Sequence, residues 1–115
     1  MERDDLAARK GRPPQEAAAT NAILARRYII SGRVQGVGYR NYAEHVAGKF
    51  GIDGYVRNRF DGSVEVFAIG APESLKQLLF ALEKGPMLSH VSNVREEPAE
   101  PDEKYSGNFI IETTI

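Results

Sequence analysis

The chain has 115 residues, no cysteine and a formal net charge of −1, with 42% hydrophobic and 27% charged residues. This length fits one domain of ordinary globular composition, which excludes a disordered or fibrous class. The lack of cysteine excludes disulfides, thiolate metal sites and cysteine nucleophiles, and no apolar run approaches the ~20 residues that span a bilayer. Because the N-terminus also lacks an apolar signal segment, we expect a cytoplasmic protein with no membrane partner.

The charges are unevenly distributed along the chain. Residues 26–60 hold seven basic and two acidic residues (+5), residues 61–115 hold four basic and ten acidic residues (−6), and residues 1–25 hold four of each. A net charge near zero argues against a dedicated nucleic-acid-binding protein. The positive middle section, however, would attract a small anion.

Residues 1–25 are polar and then alanine-rich, and they lack a strong apolar period. Pro13 and Pro14 stand where a short helix can begin, because proline is tolerated in the first helical turn. An extension of artificial or family-variable origin explains the composition equally well. We therefore expect residues 1–25 to form an N-terminal extension, flexible or partly helical, and residues 26–115 to form the domain.

The first half of this domain predicts a strand, a loop and a helix. From Arg26 to Val34, apolar and polar residues alternate, which is the period of a β-strand. After a glycine-containing loop, a helix is predicted that ends at Gly51, since glycine adopts the left-handed C-terminal geometry easily. The apolar stripe of that helix recurs every three or four residues: Tyr39, Tyr42, Ala43, Val46, Ala47 and Phe50.

Two strands and a second helix follow. The stretches "GYVRN" and "SVEVFAI" flank Asp61 and Gly62, a dipeptide typical of hairpin turns, so these strands should pair antiparallel. Pro72 opens the second helix and Gly85 closes it. Its apolar stripe consists of Leu75, Leu78, Leu79 and Leu82.

The last part of the chain predicts a fourth strand, "HVSNVRE", an acidic loop with prolines, and a final strand in "NFIIETTI". The order β-α-β-β-α-β with a terminal strand is that of the ferredoxin-like sandwich. Since each helix has one apolar stripe, the expected fold is α+β, with both helices on one face of an antiparallel sheet.

The loop in "GRVQGVGYR" (residues 32–40) connects the first strand to the first helix. It matches neither a Walker loop nor a dinucleotide-binding loop, which need a Gly-Lys pair or a third glycine at the right place. Successive amide groups of residues 36–40 at a helix entrance can bind phosphate, and Arg40 can hold two of its oxygens. A tight turn with a solvated arginine explains this motif equally well.

The stretch "SGRVQGVGYR" followed by "GYVRNRFDGSVEV" resembles the two signature stretches of the acylphosphatase family, small enzymes that hydrolyse acyl phosphates to a carboxylate and inorganic phosphate. The resemblance begins at about Arg26, includes "KGP" after the second helix, and leaves residues 1–25 uncovered. The fold that it implies is the ferredoxin-like sandwich, which the periodicity also predicts.

The resemblance also implies the site residues. Arg40 matches the phosphate-binding arginine of the family and Asn58 its water-orienting asparagine, and Tyr39 and Tyr55 replace the usual phenylalanine and tryptophan while keeping an aromatic ring. We expect a monomeric hydrolase of small acyl phosphates that needs no metal or other cofactor. The phosphate cradle falls on Gln35, Gly36, Val37, Gly38, Tyr39 and Arg40.

Two alternatives stay open. The domain can be a non-catalytic ferredoxin-like module for RNA or a small anionic ligand, because fold does not fix function. An RNA-binding sheet would expose aromatic residues on its middle strands, for which Tyr28 and Tyr55 are the candidates, although no RNP-like string is present. The resemblance also extends to a domain of hydrogenase-maturation carbamoyltransferases, against which the short, cysteine-free chain argues.

Overall fold

The structure is a computed structural model and describes residues 22–115. The helix predicted near Pro13 lies outside these residues. The described elements follow the predicted order, with a short 3₁₀ helix added before the last strand. They are β1 (Leu24–Arg33), α1 (Tyr39–Lys49), β2 (Asp53–Asn58), β3 (Val64–Gly70), α2 (Pro72–Lys84), β4 (His90–Ala99), the 3₁₀ helix (Glu103–Tyr105) and β5 (Phe109–Ile111).

Within the described residues, the strands form one sheet in the order β4-β1-β3-β2-β5. The first four strands pair antiparallel, as predicted, but β5 pairs parallel with β2 between Gly54↔Phe109 and Val56↔Ile111. The sheet is therefore mixed, which corrects the expectation of a wholly antiparallel sheet. The reason is topological: β4 runs opposite to β2, so a chain that turns back after β4 runs in the direction of β2.

The fourth strand is longer than predicted and includes the start of the acidic segment. It continues to Ala99 and pairs with β1, including Arg26 opposite Pro98. Proline is tolerated here because β4 is an edge strand of the described sheet. The expectation that the acidic segment after Glu96 is all loop is therefore wrong for residues 97–99.

Both helices pack on the same face of the sheet, as predicted. Alternate residues of the strands point towards the helices because successive side chains of a strand face opposite sides. These residues and the apolar stripes of the helices form one buried core: Tyr28, Ile30, Val56, Val64, Val66 and Ala68 from the sheet, and Tyr39, Ala43, Val46, Ala47, Leu75, Leu78 and Leu82 from the helices.

Two tyrosines of α1 bind the two helices together through their hydroxyl groups. The Tyr39 hydroxyl donates to the carbonyl of Leu82 at 2.6 Å, and the Tyr42 hydroxyl donates to the carbonyl of Ala81 at 2.7 Å. Both acceptors are in α2. Burial raises the pKa of Tyr39 far above its ordinary value, because the phenolate would lose its hydration.

This contact predicts how Tyr39→Phe changes stability. At neutral pH the free energy of unfolding of the variant should be about 1 kcal/mol lower than that of the wild type, since the hydrogen bond to Leu82 is lost. Above about pH 10 the wild type should lose stability, because tyrosine in the unfolded chain releases its proton while Tyr39 in the folded chain keeps it. The variant should therefore lose less stability with rising pH in urea unfolding.

Tyr42→Phe is the control, since it removes a bond of the same kind at a less buried phenol. Its alkaline slope should lie between those of the wild type and Tyr39→Phe. Equal slopes for the wild type and Tyr39→Phe would show that Tyr39 is not held protonated by the fold.

Candidate active site

The loop between β1 and α1 turns on two glycines with left-handed backbone angles. Gly36 has φ 75° and Gly38 has φ 81°. Residues with a side chain adopt this region only at a cost, whereas glycine does so freely. A Cβ added at either position would meet no atom within 4 Å. Glycine is thus required here by the backbone angle and not by crowding within the protein.

The amide groups of this loop are available to a ligand. The N-cap of α1 is Gly38, which has no side chain to accept hydrogen bonds from the first amide groups of the helix. Within residues 22–115, the amide groups of residues 36–40 donate to no backbone carbonyl. The first amide groups of a helix have no partner inside the helix, and the helix dipole places partial positive charge there. The loop therefore offers a group of donors suited to an anion.

These groups border a small cavity of about 200 Å³. Ligand pockets for larger molecules usually measure about 300–1,000 Å³, so this cavity suits a small ligand. Among the described residues that line the cavity, Arg40 is the one with a charged side chain. It forms no ion pair within residues 22–115. The lining residues are Val34, Gly36, Gly38, Tyr39, Arg40, Asn41, Asn58 and Ile111.

Asn58 reaches the cavity from the end of β2. It lies opposite Val64 of β3, and its carbonyl accepts a hydrogen bond from the amide of Ile115 at 3.2 Å. The amide of Phe60 in turn donates to the carbonyl of Ile115 at 2.6 Å. The backbone around Asn58 is therefore held on one side by β3 and on the other by the segment after β5.

The side chains of the arginines on either side of Asn58 lie on the opposite face of the sheet. Arg57 and Arg59 lie 3.1 Å and 3.8 Å from the carboxylate of Glu65, whose side chain is only 5% exposed. The Tyr55 hydroxyl donates to the same carboxylate, and burial, together with this contact, raises the pKa of Tyr55. As the alternation of a strand predicts, Arg57 and Arg59 therefore face away from Asn58, and Glu65 partly neutralises them.

Five of the seven predicted site residues line the cavity, and Gln35 and Val37 do not. The side chain of Gln35 turns to the β2-β3 hairpin, and that of Val37 packs partly against the core. The Tyr39 ring is also buried in the core, so this residue can offer a ligand little beyond its main chain.

Sequence reasoning missed three lining residues, Val34, Asn41 and Ile111. Asn41 had a signal, since a carboxamide directly after Arg40 stands in the first turn of the predicted helix. Ile111 had none, because it reaches the cavity only through the parallel pairing of β5 with β2.

The fold and this loop define a ferredoxin-like α+β protein whose first helix begins with amide groups suited to an anion. Comparison with known proteins is more specific. The family model described as Acylphosphatase matches residues 26–111. The acylphosphatase of Koribacter versatilis is 47% identical over 100 residues, which are 87% of this chain and 90% of that protein.

Solved structures agree. The crystal structure of acylphosphatase from Bacillus subtilis has a TM-score of 0.73 and 35% identity, and the match covers 77% of this chain and 98% of that chain. Full-length HypF in a phosphate- and nucleotide-bound form has a TM-score of 0.74 and 26% identity, over 81% of this chain but 12% of HypF. The chain belongs to the acylphosphatase family, which confirms the resemblance of its two signature stretches.

The geometry of the loop predicts the effect of Gly38→Ala. Alanine at φ 81° is strained by about 1 kcal/mol or more, and relief of this strain would move the amide groups of the loop. We expect a lower free energy of unfolding and a roughly tenfold weaker affinity for inorganic phosphate, equivalent to about 1.4 kcal/mol. Urea unfolding and calorimetric titration with phosphate measure the two effects.

Gly48→Ala is the matched control, because Gly48 lies within α1, has no positive φ, and leaves open space for a Cβ. It should stabilise the protein by about 0.5–1 kcal/mol and leave phosphate affinity unchanged. Wild-type phosphate affinity in Gly38→Ala would contradict the assignment of the loop as the anion site.

Proposed function

We propose that this cavity is the active site at which the chain hydrolyses the carboxyl-phosphate bond of small acyl phosphates to a carboxylate and inorganic phosphate. The observation that carries the proposal is that Arg40, the loop glycines and Asn58 line one small cavity in a member of the acylphosphatase family. The sequence placed the start of the domain at Arg26, but Leu24 and Ala25 already pair with β3. Residues 24–115 would therefore be the catalytic domain, and the residues before them an extension to it.

The loop and Arg40 would hold the phosphoryl group. Amide groups of residues 35–40 would donate to its oxygens, and the Arg40 guanidinium would bind two of them in a bidentate contact that lysine cannot reproduce. Gln35, Val37 and Tyr39 would take part through their main chain, since their side chains are directed elsewhere. The positive charge would also stabilise charge that develops on the oxygens in the transition state.

The leaving group explains why so few side chains would suffice. A carboxylate has a conjugate acid with a pKa of about 4, so it leaves without protonation by a general acid. Asn58 would accept a hydrogen bond from a water molecule and place it in line with the leaving oxygen. As the water oxygen bonds to phosphorus, the bond from phosphorus to the carboxylate oxygen breaks. The proton of the water would pass to a phosphoryl oxygen, since the described lining residues offer no carboxylate or imidazole.

The proposal also covers cofactors, assembly and location. Because Arg40 and the amide groups would supply the stabilising charge, we propose a reaction without a metal or other cofactor. We further propose that the protein is monomeric and cytoplasmic. In the described part of the chain, the helices are too short or too polar to cross a bilayer.

The RNA-binding alternative is not favoured. Tyr28 is fully buried beneath the helices, and Tyr55 is 7% exposed, packed against Phe67 and Tyr105 on the other face of the sheet. Neither ring can stack on a base without rearrangement of the core, although RNA-binding sheets depend on such stacking. An activity assay distinguishes the proposed hydrolase from the remaining alternative, a non-catalytic module that binds a small anion.

Hydrolysis of benzoyl phosphate, followed by ultraviolet absorbance in the presence of a chelator, tests the proposal. The wild type should be active. Asn58→Ala should lower kcat by about 100-fold, because the water is no longer aligned. Arg40→Lys should lower kcat/KM by about 100-fold or more, because the bidentate contact is lost.

Asn93→Ala and Arg95→Lys are the controls, since both residues lie exposed on the edge strand β4. They should keep wild-type activity. A wild type that binds phosphate without hydrolysing benzoyl phosphate would indicate the binding module instead. Loss of activity in chelator would refute the metal-free mechanism, and full activity of Asn58→Ala would refute the role of that residue.

A further inference from the structure

The side chain of Gln35 connects the anion-binding loop to the hairpin that follows Asn58. Its Nε2 donates to the carbonyl of Arg59 at 2.7 Å and to the carbonyl of Ser63 at 2.8 Å, across 24 and 28 residues of sequence. Gln35 directly precedes Gly36, where the loop begins to turn, and Arg59 directly follows Asn58. The contact thus joins the two chain segments that would hold the phosphoryl group and the water.

Both donors of this carboxamide are used within the protein. The amide nitrogen of glutamine carries two N–H groups, and its oxygen carries none. Since both partners of Gln35 are backbone carbonyls, only the nitrogen can face them. The Gln35 side chain therefore has no donor left for a phosphate.

The hairpin turn that Gln35 holds is itself closed by hydrogen bonds. The amide of Arg59 donates to the carbonyl of Ser63 at 2.9 Å, and the amide of Gly62 donates to the carbonyl of Arg59 at 3.1 Å. Asp61 Oδ1 accepts from the amide and the hydroxyl of Ser63 at 2.9 and 2.6 Å, which lowers the pKa of Asp61. Gln35 therefore bonds to both ends of a hydrogen-bonded turn, residues 59–63, which begins directly after Asn58.

We propose that Gln35 is a positioning residue that fixes Asn58 relative to the phosphate loop, an inference that rests on the proposed function. Phosphate binding depends on the loop amides and Arg40, which remain when the Gln35 side chain is changed. Alignment of water with phosphorus depends on the distance between the two segments, and a misplacement of about 1 Å can cost roughly 100-fold in rate. Loss of the contact should therefore lower turnover more than phosphate affinity.

Gln35→Met tests this, because methionine has a similar length but no N–H donor. We expect a kcat for benzoyl phosphate at least tenfold below wild type, with an inhibition constant for inorganic phosphate within about threefold of wild type. Gln77→Met makes the same chemical change on the exposed face of α2 and should alter neither constant. Wild-type hydrolysis in the same series tests the proposed function separately.

A double-mutant cycle shows whether Gln35 acts through Asn58. In an Asn58→Ala background, Gln35→Met should cost much less in kcat than it does in the wild type. An equal cost in both backgrounds would overturn the proposal. So would an inhibition constant for phosphate that rises as much as kcat falls, which would make Gln35 a direct phosphate ligand, or an unchanged kcat.

A second variant loosens the same turn from the other side and does not depend on folding of Gln35→Met. Asp61 is an exposed turn residue, and Asp61→Ala removes both bonds to Ser63. This variant should also lower kcat while phosphate inhibition stays near the wild-type value. Unchanged turnover in Asp61→Ala and Gln35→Met alike would show that the turn does not position Asn58.

Discussion

The left-handed backbone at Gly36 and Gly38 is the constraint on which the site depends. These two residues turn the chain from β1 into α1, so the first amide groups of the helix and Arg40 meet at one cavity. A residue with a Cβ would resist both angles, and an altered turn would direct the amide groups elsewhere. The proposed anion site would thus be formed mainly by the direction of main-chain N–H groups, to which Arg40 would add a full charge.

The alternation of side chains along β2 separates two environments that are adjacent in sequence. Asn58 faces the cavity, whereas Arg57 and Arg59 face Glu65 behind the sheet. Arg27 lies 3.6 Å from the same carboxylate. Much of the positive charge of residues 26–60 is therefore paired away from the cavity. Attraction of an anion to the proposed site would therefore rest on Arg40 and the start of α1 rather than on the whole positive section.

The sequence predicted the helices and most strands because their patterns are strong and local. Leu75, Leu78 and Leu82 specify the buried stripe of α2, and Asp61-Gly62 specifies the hairpin. The neighbour of β5 could not be predicted, since a period of two indicates a strand but not its partner. For the same reason Ile111 was missed at the cavity. The partners of Gln35 lie too far along the chain for any local pattern to indicate.

Family signatures identified Arg40 and Asn58, and the structure brings both to one cavity. They also assigned Gln35 to the phosphate cradle, whereas its side chain binds the hairpin turn. Sequence similarity reports that a residue belongs to a motif but not which of its atoms meet the ligand. Hydrogen-bonding capacity decides this for Gln35, because both of its donors already have acceptors.

Titration of the isotope-labelled protein with inorganic phosphate, followed by amide nuclear magnetic resonance, tests the central claim most directly. We predict that the largest shifts fall on the amide groups of residues 36–40 and on the side chains of Arg40 and Asn58, with one common dissociation constant. Largest shifts around Arg27, Arg57 and Arg59, with residues 36–40 unchanged, would contradict the account.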